Sequence, residues 1–287
     1  MSRYERWNTL LELVAADGHL SVAAAAQTLG VSEATIRRDL DQLAGQRMLT
    51  RTRGGAIGSG QMAYDLPLLY KTERNAPEKQ LIGRAAAALI TTGSTVALNG
   101  GTTTVEVARA LVNRRELGDG AVTVVTNALS IAGELAVRPQ IKLVVTGGVA
   151  RPESHELIGP LATYVLADLT FDWAILGVDG LDAVAGATAH HEGEASINRL
   201  MTERALRVAI VADSSKLGQR AFARVCGIDK IDVVVTDAAA GTPAAAALAD
   251  KGIRLIIALQ RLSRSRTNAQ PFEHKLVTRP INLQLPC

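Results

Sequence analysis

From Thr95 onward the chain alternates short β-rich runs with stretches of helical spacing, and this alternation constrains the fold more than any other feature. The runs are Thr95–Leu98, Val122–Val125, Lys142–Val145, Trp173–Leu176, Arg207–Val211, Val233–Val235 and Arg254–Ile257. Helical patterns fall between most of them, for example Thr103–Val112 and Ala128–Val137. Strands that alternate with helices assemble into a parallel sheet covered on both faces, so the expected class is α/β with a Rossmann-like sheet. No G-x-G-x-x-G follows the first strand, and no dinucleotide or other cofactor is expected.

The N-terminal region reads differently. Trp7, Leu10, Leu11 and Val14 recur at helical spacing over Ser2–Ala15, and Asp17-Gly18 breaks the pattern. Ser21 is placed to cap a second helix that buries Val22, Ala25, Ala26 and Leu29 and ends at Gly30. Ser32 caps a third, whose inward stripe is Ile36, Leu40 and Leu43. With Ile36 inward, Ala34, Arg38 and Asp41 take the opposite face, Thr35 and Gln42 one flank and Arg37 the other. Small residues and arginines on an exposed N-terminal half suit entry into a DNA major groove, where arginine pairs with guanine or phosphate. The stretch Met48–Gly55 alternates and then turns at glycines, the pattern of a β-wing that offers Arg51 and Arg53 to the DNA backbone or minor groove. The candidate DNA-contact residues are therefore Ser32, Ala34, Thr35, Arg37, Arg38, Gln42, Arg51 and Arg53. A three-helix packing module with solvated arginines is the plainer alternative.

Net charge does not decide between these readings. The total is +3, but Leu259–Cys287 carries five basic residues and one acid, and removing its +4 leaves −1 for the rest. DNA binding must be argued from local placement of charge. With 287 residues, 47% hydrophobic and 21% charged, the chain can bury a sizeable core, and two domains are expected. Aromatics are only 3%, so that core must be built from Ala, Val, Leu and Ile. The absence of an eighteen-residue apolar run and of a secretory h-region, with two isolated cysteines (Cys226 and Cys287), suits a cytoplasmic protein.

In a parallel sheet, ligands sit at the carboxyl ends of the strands. There the sequence sets Asn99-Gly100-Gly101-Thr102-Thr103-Thr104, Thr126-Asn127, Thr146-Gly147-Gly148, Gly177-Val178-Asp179-Gly180 and Asp213-Ser214-Ser215-Lys216. Glycines let the backbone approach an anion, threonine hydroxyls donate, and a helix N-terminus adds N–H groups and its dipole. The set suits a phosphorylated sugar or polyol, with phosphate on the Gly-Thr loop and Asp179, Asn127 and Glu194 on hydroxyls. Each loop taken singly reads better as a simple strand terminus, and only their recurrence at successive strand ends favours a ligand rim.

Three strings carry a family resemblance: Ser21-Val22, Leu29–Leu40 containing Thr35-Ile36-Arg37-Arg38-Asp39-Leu40, and Arg51–Ala56. Together they resemble the DeoR family of transcription regulators. The likeness continues through N-G-G-T-T-T, V-T-N-A-L, T-G-G, F-D-W-A-I-L-G-V-D-G, A-D-S-S-K and V-V-T-D, and spans about Arg3–Ile257. It implies a winged helix-turn-helix with Ser32–Ala44 as the recognition helix. Behind it the resemblance implies a sensor similar to ribose-5-phosphate isomerase and glucosamine-6-phosphate deaminase. The implied function is repression of a carbohydrate-metabolism operon, through an operator affinity that the effector modulates. Lys79 matches a basic position of that sensor, although a surface lysine reads the same way. Asp39 is expected to partner an arginine or the backbone rather than read a base.

The boundaries expected are residues 3–58 for the DNA-binding domain, 59–76 for a linker, 77–258 for the sensor and 259–287 for a basic, disordered tail outside the family pattern. Partners implied are double-stranded operator DNA, the effector, and further copies of the chain as a dimer or tetramer, because symmetry reads repeated half-sites. The rival class is a sugar-phosphate isomerase or deaminase that uses Asp179, Glu194 and Lys216 as acid, base and electrophile. A helix-turn-helix is hard to explain on such an enzyme, and residual catalysis in the C-terminal domain stays the alternative reading. His190-His191-Glu192 with Glu194 lacks the spacing of a zinc site and reads as a loop or helix start near the ligand rim.

Overall fold

The computed structural model describes residues 1, 3–45, 48–58, 71–72, 74–114, 118, 121–239 and 241–259, in two compact units that divide between Ala76 and Pro77. The expected linker falls mostly, and the tail after Leu259 wholly, outside the described residues.

In the first unit α1 (Arg3–Asp17), α2 (Val22–Leu29) and α3 (Glu33–Gly45) pack around Trp7, Leu10, Ile36, Leu40 and Leu43, each at most 3% exposed. Strands β1 (His19–Ser21), β2 (Thr50–Thr52) and β3 (Gly55–Ile57) form an antiparallel sheet in the order β1-β3-β2. Strand β1 is the element that periodicity misses, since three residues are too few to establish a period. Ser21 ends β1 and also caps α2, its Oγ accepting from the Ala24 N–H at 3.1 Å. Gly30 closes α2 in the left-handed region (φ 64°) and returns its N–H to Ala26. At Gly55 the Leu20 backbone leaves no space for a side chain, so glycine is what lets the wing lie against β1.

The second unit is built on a seven-stranded sheet: β4 (Thr95–Leu98), β5 (Val122–Thr126), β6 (Ile141–Val145), β9 (Phe171–Gly177), β12 (Ala205–Val211), β14 (Val233–Thr236) and β15 (Arg254–Ile257). Every pairing is parallel, in the order β15-β14-β12-β9-β4-β5-β6. All seven β-rich runs of the sequence are here, most of them longer by one or two residues. Successive side chains serve opposite cores. Val96, Leu98, Val122 and Val124 face α4 (Ala76–Ala87), α5 (Thr102–Val112) and α6 (Leu129–Leu135). Ala97, Val125, Ala174 and Leu176 join the core of α7 (Pro160–Ala167), α8 (Glu192–Glu203) and α9 (Pro243–Ala249). Burial on both faces explains the near-continuous aliphatic character of these strands.

Two small additions complete the unit. Strands β7 (Val149–Arg151) and β8 (Glu156–Ile158) form an antiparallel hairpin. Strands β10 (Gly180–Asp182), β11 (Gly186–Ala189) and β13 (Ala223–Cys226) form an antiparallel sheet. Both lie where the sequence offers only loops after strands. Among the described residues, no helix is long and apolar enough to cross a membrane.

Candidate functional site

The DNA-reading candidates lie on α3 and the wing. Ala34, Arg37, Arg38, Asp41 and Gln42 are exposed, Thr35 is half-buried, and Ile36, Leu40 and Leu43 point inward, as the helical wheel requires. Ser32 accepts from the Thr35 N–H at 3.2 Å and its Oγ lies 2.9 Å from Thr35 Oγ1, so these two candidates form the helix cap. Arg37 pairs with Glu33 at 2.8 Å on the exposed surface. The wing arginines part company. Arg53 is exposed, whereas Arg51 bonds Asp41 of α3 at 2.8 Å and the Gly55 carbonyl. Arg51 thus ties the wing to α3.

Beneath α3, Asp39 is buried and accepts from Arg6 Nη2 at 3.1 Å, from Arg6 Nε, and from Trp7 Nε1 at 2.7 Å. The hydrogen bond with Asp39 holds the Arg6 guanidinium above its ordinary pKa. Asp39 therefore fixes α3 against α1, in the structural role expected of it.

At the second unit's sheet, the strand order reverses between β4 and β9. From β4 the chain runs outward through β5 and β6, then returns to place β9 on the other side of β4. Loops at such a switch point diverge and leave a crevice. On the β4 side of it lie Asn99-Gly100-Gly101 and the start of α5, and on the β9 side Gly177-Val178-Asp179. Asn99 ties the two together: its Nδ2 donates to the Gly177 carbonyl at 2.9 Å, and its Oδ1 accepts from the Gly177 N–H at 2.8 Å. Asn99 is thus a strut across the switch point. Gly101 (φ 142°) is the N-cap of α5 and, as a glycine, brings no side chain to cap it. Thr102 is half-buried, Thr103 and Thr104 are buried, and Thr104 donates to the Gly101 carbonyl at 3.0 Å.

The remaining candidates are more heavily engaged than the sequence suggests. Thr126 is buried and accepts from the Ala128 N–H at 3.1 Å. Asn127 is buried, and its Nδ2 donates to Glu156 Oε2 at 2.9 Å and the Leu157 carbonyl at 3.2 Å. Its Oδ1 is buried without a hydrogen-bond partner among the described residues. Glu194 accepts from Arg151 Nη1 at 3.0 Å. Asp179 accepts from the His190 N–H at 3.0 Å and lies 3.9 Å from Lys216 Nζ. Gly147 (φ 71°) and Gly148 (φ 128°) lead into β7, and at Gly148 a side chain would meet the Ile158 carbonyl. These two glycines therefore shape the hairpin. Lys79 is 5% exposed on α4, which removes the surface-lysine reading. His191 accepts from the Gly193 N–H at 3.1 Å and caps α8, the helix start expected there.

Sequence reasoning missed Glu156 and Arg151, which the β7–β8 hairpin delivers to Asn127 and Glu194. No periodic pattern marks three-residue strands, and nothing local to Glu156 foretells its neighbours.

A DeoR-like helix-turn-helix domain matches residues 6–59, and a DeoR C terminal sensor domain matches residues 74–238. The chain belongs to the DeoR family. It is a DNA-binding transcription regulator. The HTH-type transcriptional regulator GlpR of Haloferax volcanii is 36% identical over 234 residues, covering 81% of this chain and 89% of that one. The glycerol-3-phosphate regulon repressor of Escherichia coli K12 is 31% identical over 255 residues, covering 89% and 99%. The transcriptional repressor AccR of Agrobacterium fabrum is 32% identical over 242 residues, covering 84% and 92%. These relatives are regulators and not enzymes. Ribose 5-phosphate isomerase A of Methanocaldococcus jannaschii superposes on 50% of this chain and 54% of its own, with a TM-score of 0.37 and 20% identity. A likeness that distant adds nothing to the fold read from the strand order itself. Within this DeoR chain, the two matched segments coincide with the two places where candidate site residues cluster.

Proposed function

We propose that this regulator represses an operon of carbohydrate metabolism and that a phosphorylated sugar or polyol, bound at the β4/β9 switch point, modulates its affinity for a double-stranded operator. The observation that carries the effector half is the N-terminus of α5, to which its N-cap Gly101 brings no capping side chain, set beside the reversal in strand order. First-turn N–H groups and the helix dipole favour a phosphate there, and the Thr102 and Thr103 hydroxyls flank it. Asp179, Lys216, Asn127 and the Arg151–Glu194 pair stand near the strand ends to meet hydroxyls. The name of the Escherichia coli relative, a glycerol-3-phosphate regulon repressor, agrees with a phosphorylated polyol.

For the DNA half, α3 enters the major groove with Ala34, Arg37, Arg38 and Gln42 toward the bases, and Arg53 meets the backbone. The chain works in the cytoplasm as a dimer or tetramer, so that two copies of α3 read repeated half-sites. Equal affinity for one isolated half-site and for a full operator would contradict that assembly.

A thermal-shift screen against phosphorylated sugars and polyols, followed by gel retardation on the operator, tests the proposal. An effector at a hundredfold its Kd stabilises the protein by about 2.7 kcal/mol and changes operator retention. If no compound alters either measurement, the effector reading fails, while the DNA half stands or falls on retention alone.

A further inference from the structure

The strand-end loop read above as the phosphate seat already has an anion beside it. Glu156, delivered by β8, is 3% exposed, and its carboxyl occupies the space that a side chain at residue 100 would need. A Cβ built on Gly100 would lie 2.5 Å from Glu156 Oε1 and 2.6 Å from its Cδ. Gly100 immediately precedes Gly101, the residue from which α5 starts without a side-chain cap. A carboxylate is favoured near a helix N-terminus for the same reason that a phosphate is. Asn127 helps to hold it, donating Nδ2 to Glu156 Oε2 at 2.9 Å, while the Asn127 Oδ1 stays buried without a partner among the described residues.

We propose that the Glu156 carboxylate is a built-in occupant of the effector site, seated over Gly100 and held by Asn127, which an anionic effector must displace. This rests on the reading of the Gly100–Thr103 loop as the phosphate seat. Two anions cannot share that seat in a partly desolvated crevice without strong repulsion, so the carboxylate swings away as the ligand arrives. The main chain does not have to follow. The Leu157 N–H donates to the Asn127 carbonyl at 2.7 Å and the Leu129 N–H to the His155 carbonyl at 2.9 Å, and these bonds keep β8 in place while the side chain rotates. Arg151 lies opposite Glu156 in the hairpin register, on the same face, and is already engaged by Glu194 at 3.0 Å and Glu153 at 3.6 Å. Departure of Glu156 also frees one Asn127 amide hydrogen for a ligand hydroxyl, the other staying on the Leu157 carbonyl. The affinity of this regulator for an anion is thereby set low by its own chain, and effector binding is coupled to a rearrangement at Asn127.

The test compares the full-length wild type with Glu156→Gln, which keeps the shape and an acceptor for Asn127 but removes the charge. Inorganic phosphate is the probe, titrated by calorimetry at constant ionic strength, with circular dichroism and Tm reporting the fold. At least tenfold tighter phosphate binding by Glu156→Gln is expected. Equal binding would overturn the proposal, and weaker binding would make Glu156 a ligand contact, which also overturns it. Glu156→Ser serves as a second variant should the glutamine protein fold poorly, with the same expected direction. If wild type and both folded variants bind no phosphate at millimolar concentration, the effector reading of the loop fails and the proposal falls with it. Tight wild-type binding that neither variant improves removes the proposal alone.

Discussion

Side chains proposed to meet DNA stand exposed on α3 and the wing, whereas most of those proposed to meet the effector are buried or already hydrogen-bonded. Arg38, Gln42 and Arg53 are exposed, and the packing beneath them is carried by other residues: Ile36, Leu40, Leu43 and the Asp39–Arg6–Trp7 lock. At the sheet rim the same residues serve both purposes. Asn99 braces β9, Thr126 forms a turn and Asn127 holds Glu156. The difference follows from the ligands. A duplex is met by a convex helix whose polar side chains remain in water until contact. A small metabolite is enclosed, and the groups that enclose it need partners before it arrives, since an unpaired buried polar group is costly.

Substitutions can break or sharpen this contrast. The largest effect is expected at Asp39. Asp39→Ala leaves the Arg6 guanidinium and the Trp7 N–H without their shared acceptor and should cost about 3–5 kcal/mol, read by thermal unfolding. Operator binding should be lost with it, although Asp39 touches no base. Retention of full stability would dissolve the separation between lock and reading face.

At the rim, Asn99→Ala removes both bonds to Gly177. It should destabilise the protein by about 1–3 kcal/mol for each backbone group left unpaired, by chemical denaturation. Thr102→Ala, beside it, should leave stability within about 0.5 kcal/mol and weaken only effector binding. Equal stability losses would mean that the rim has no residue reserved for the ligand.

On the reading face, Arg38→Ala should cost about 1–3 kcal/mol of operator affinity and relax base preference at one position. Arg53→Ala should weaken binding evenly across sequences and reduce the salt slope by about one. Arg51→Ala should behave differently from both, because its loss unclamps the wing from Asp41; a pure salt-slope change there would contradict the geometry. The smallest effect concerns Cys226. Burial pushes its thiol up to about 11, so it stays protonated at neutral pH. In a Cys287→Ser background it should react with a thiol reagent only when the protein is unfolded. Rapid labelling of the folded protein would show that the core of the second unit opens readily.

Legibility in the sequence followed element length and locality. Caps at Ser21 and Ser32, the inward stripe of α3 and all seven parallel strands could be read directly, because each is signalled by its neighbours along the chain. The exposed arginines could be read, but not which of them α3 would hold: Arg51 and Arg53 are equivalent in the alternation of the wing, and the approach of Asp41 to Arg51 separates them. The β7–β8 hairpin and the β10-β11-β13 sheet left no trace, since strands of three or four residues owe their pairing to distant partners.

By itself the sequence determined a winged helix-turn-helix joined to a parallel α/β unit, and it named the loops at which a ligand could bind. Those are consequences of periodicity, capping and turn chemistry, which act over a few residues. Tertiary structure decided the order of the strands, and with it the switch point that brings Asn99 to Gly177. It also decided that Glu156, more than fifty residues after Gly100, lies against it. Such neighbours are chosen by how helices and strands pack, so no local pattern can encode them.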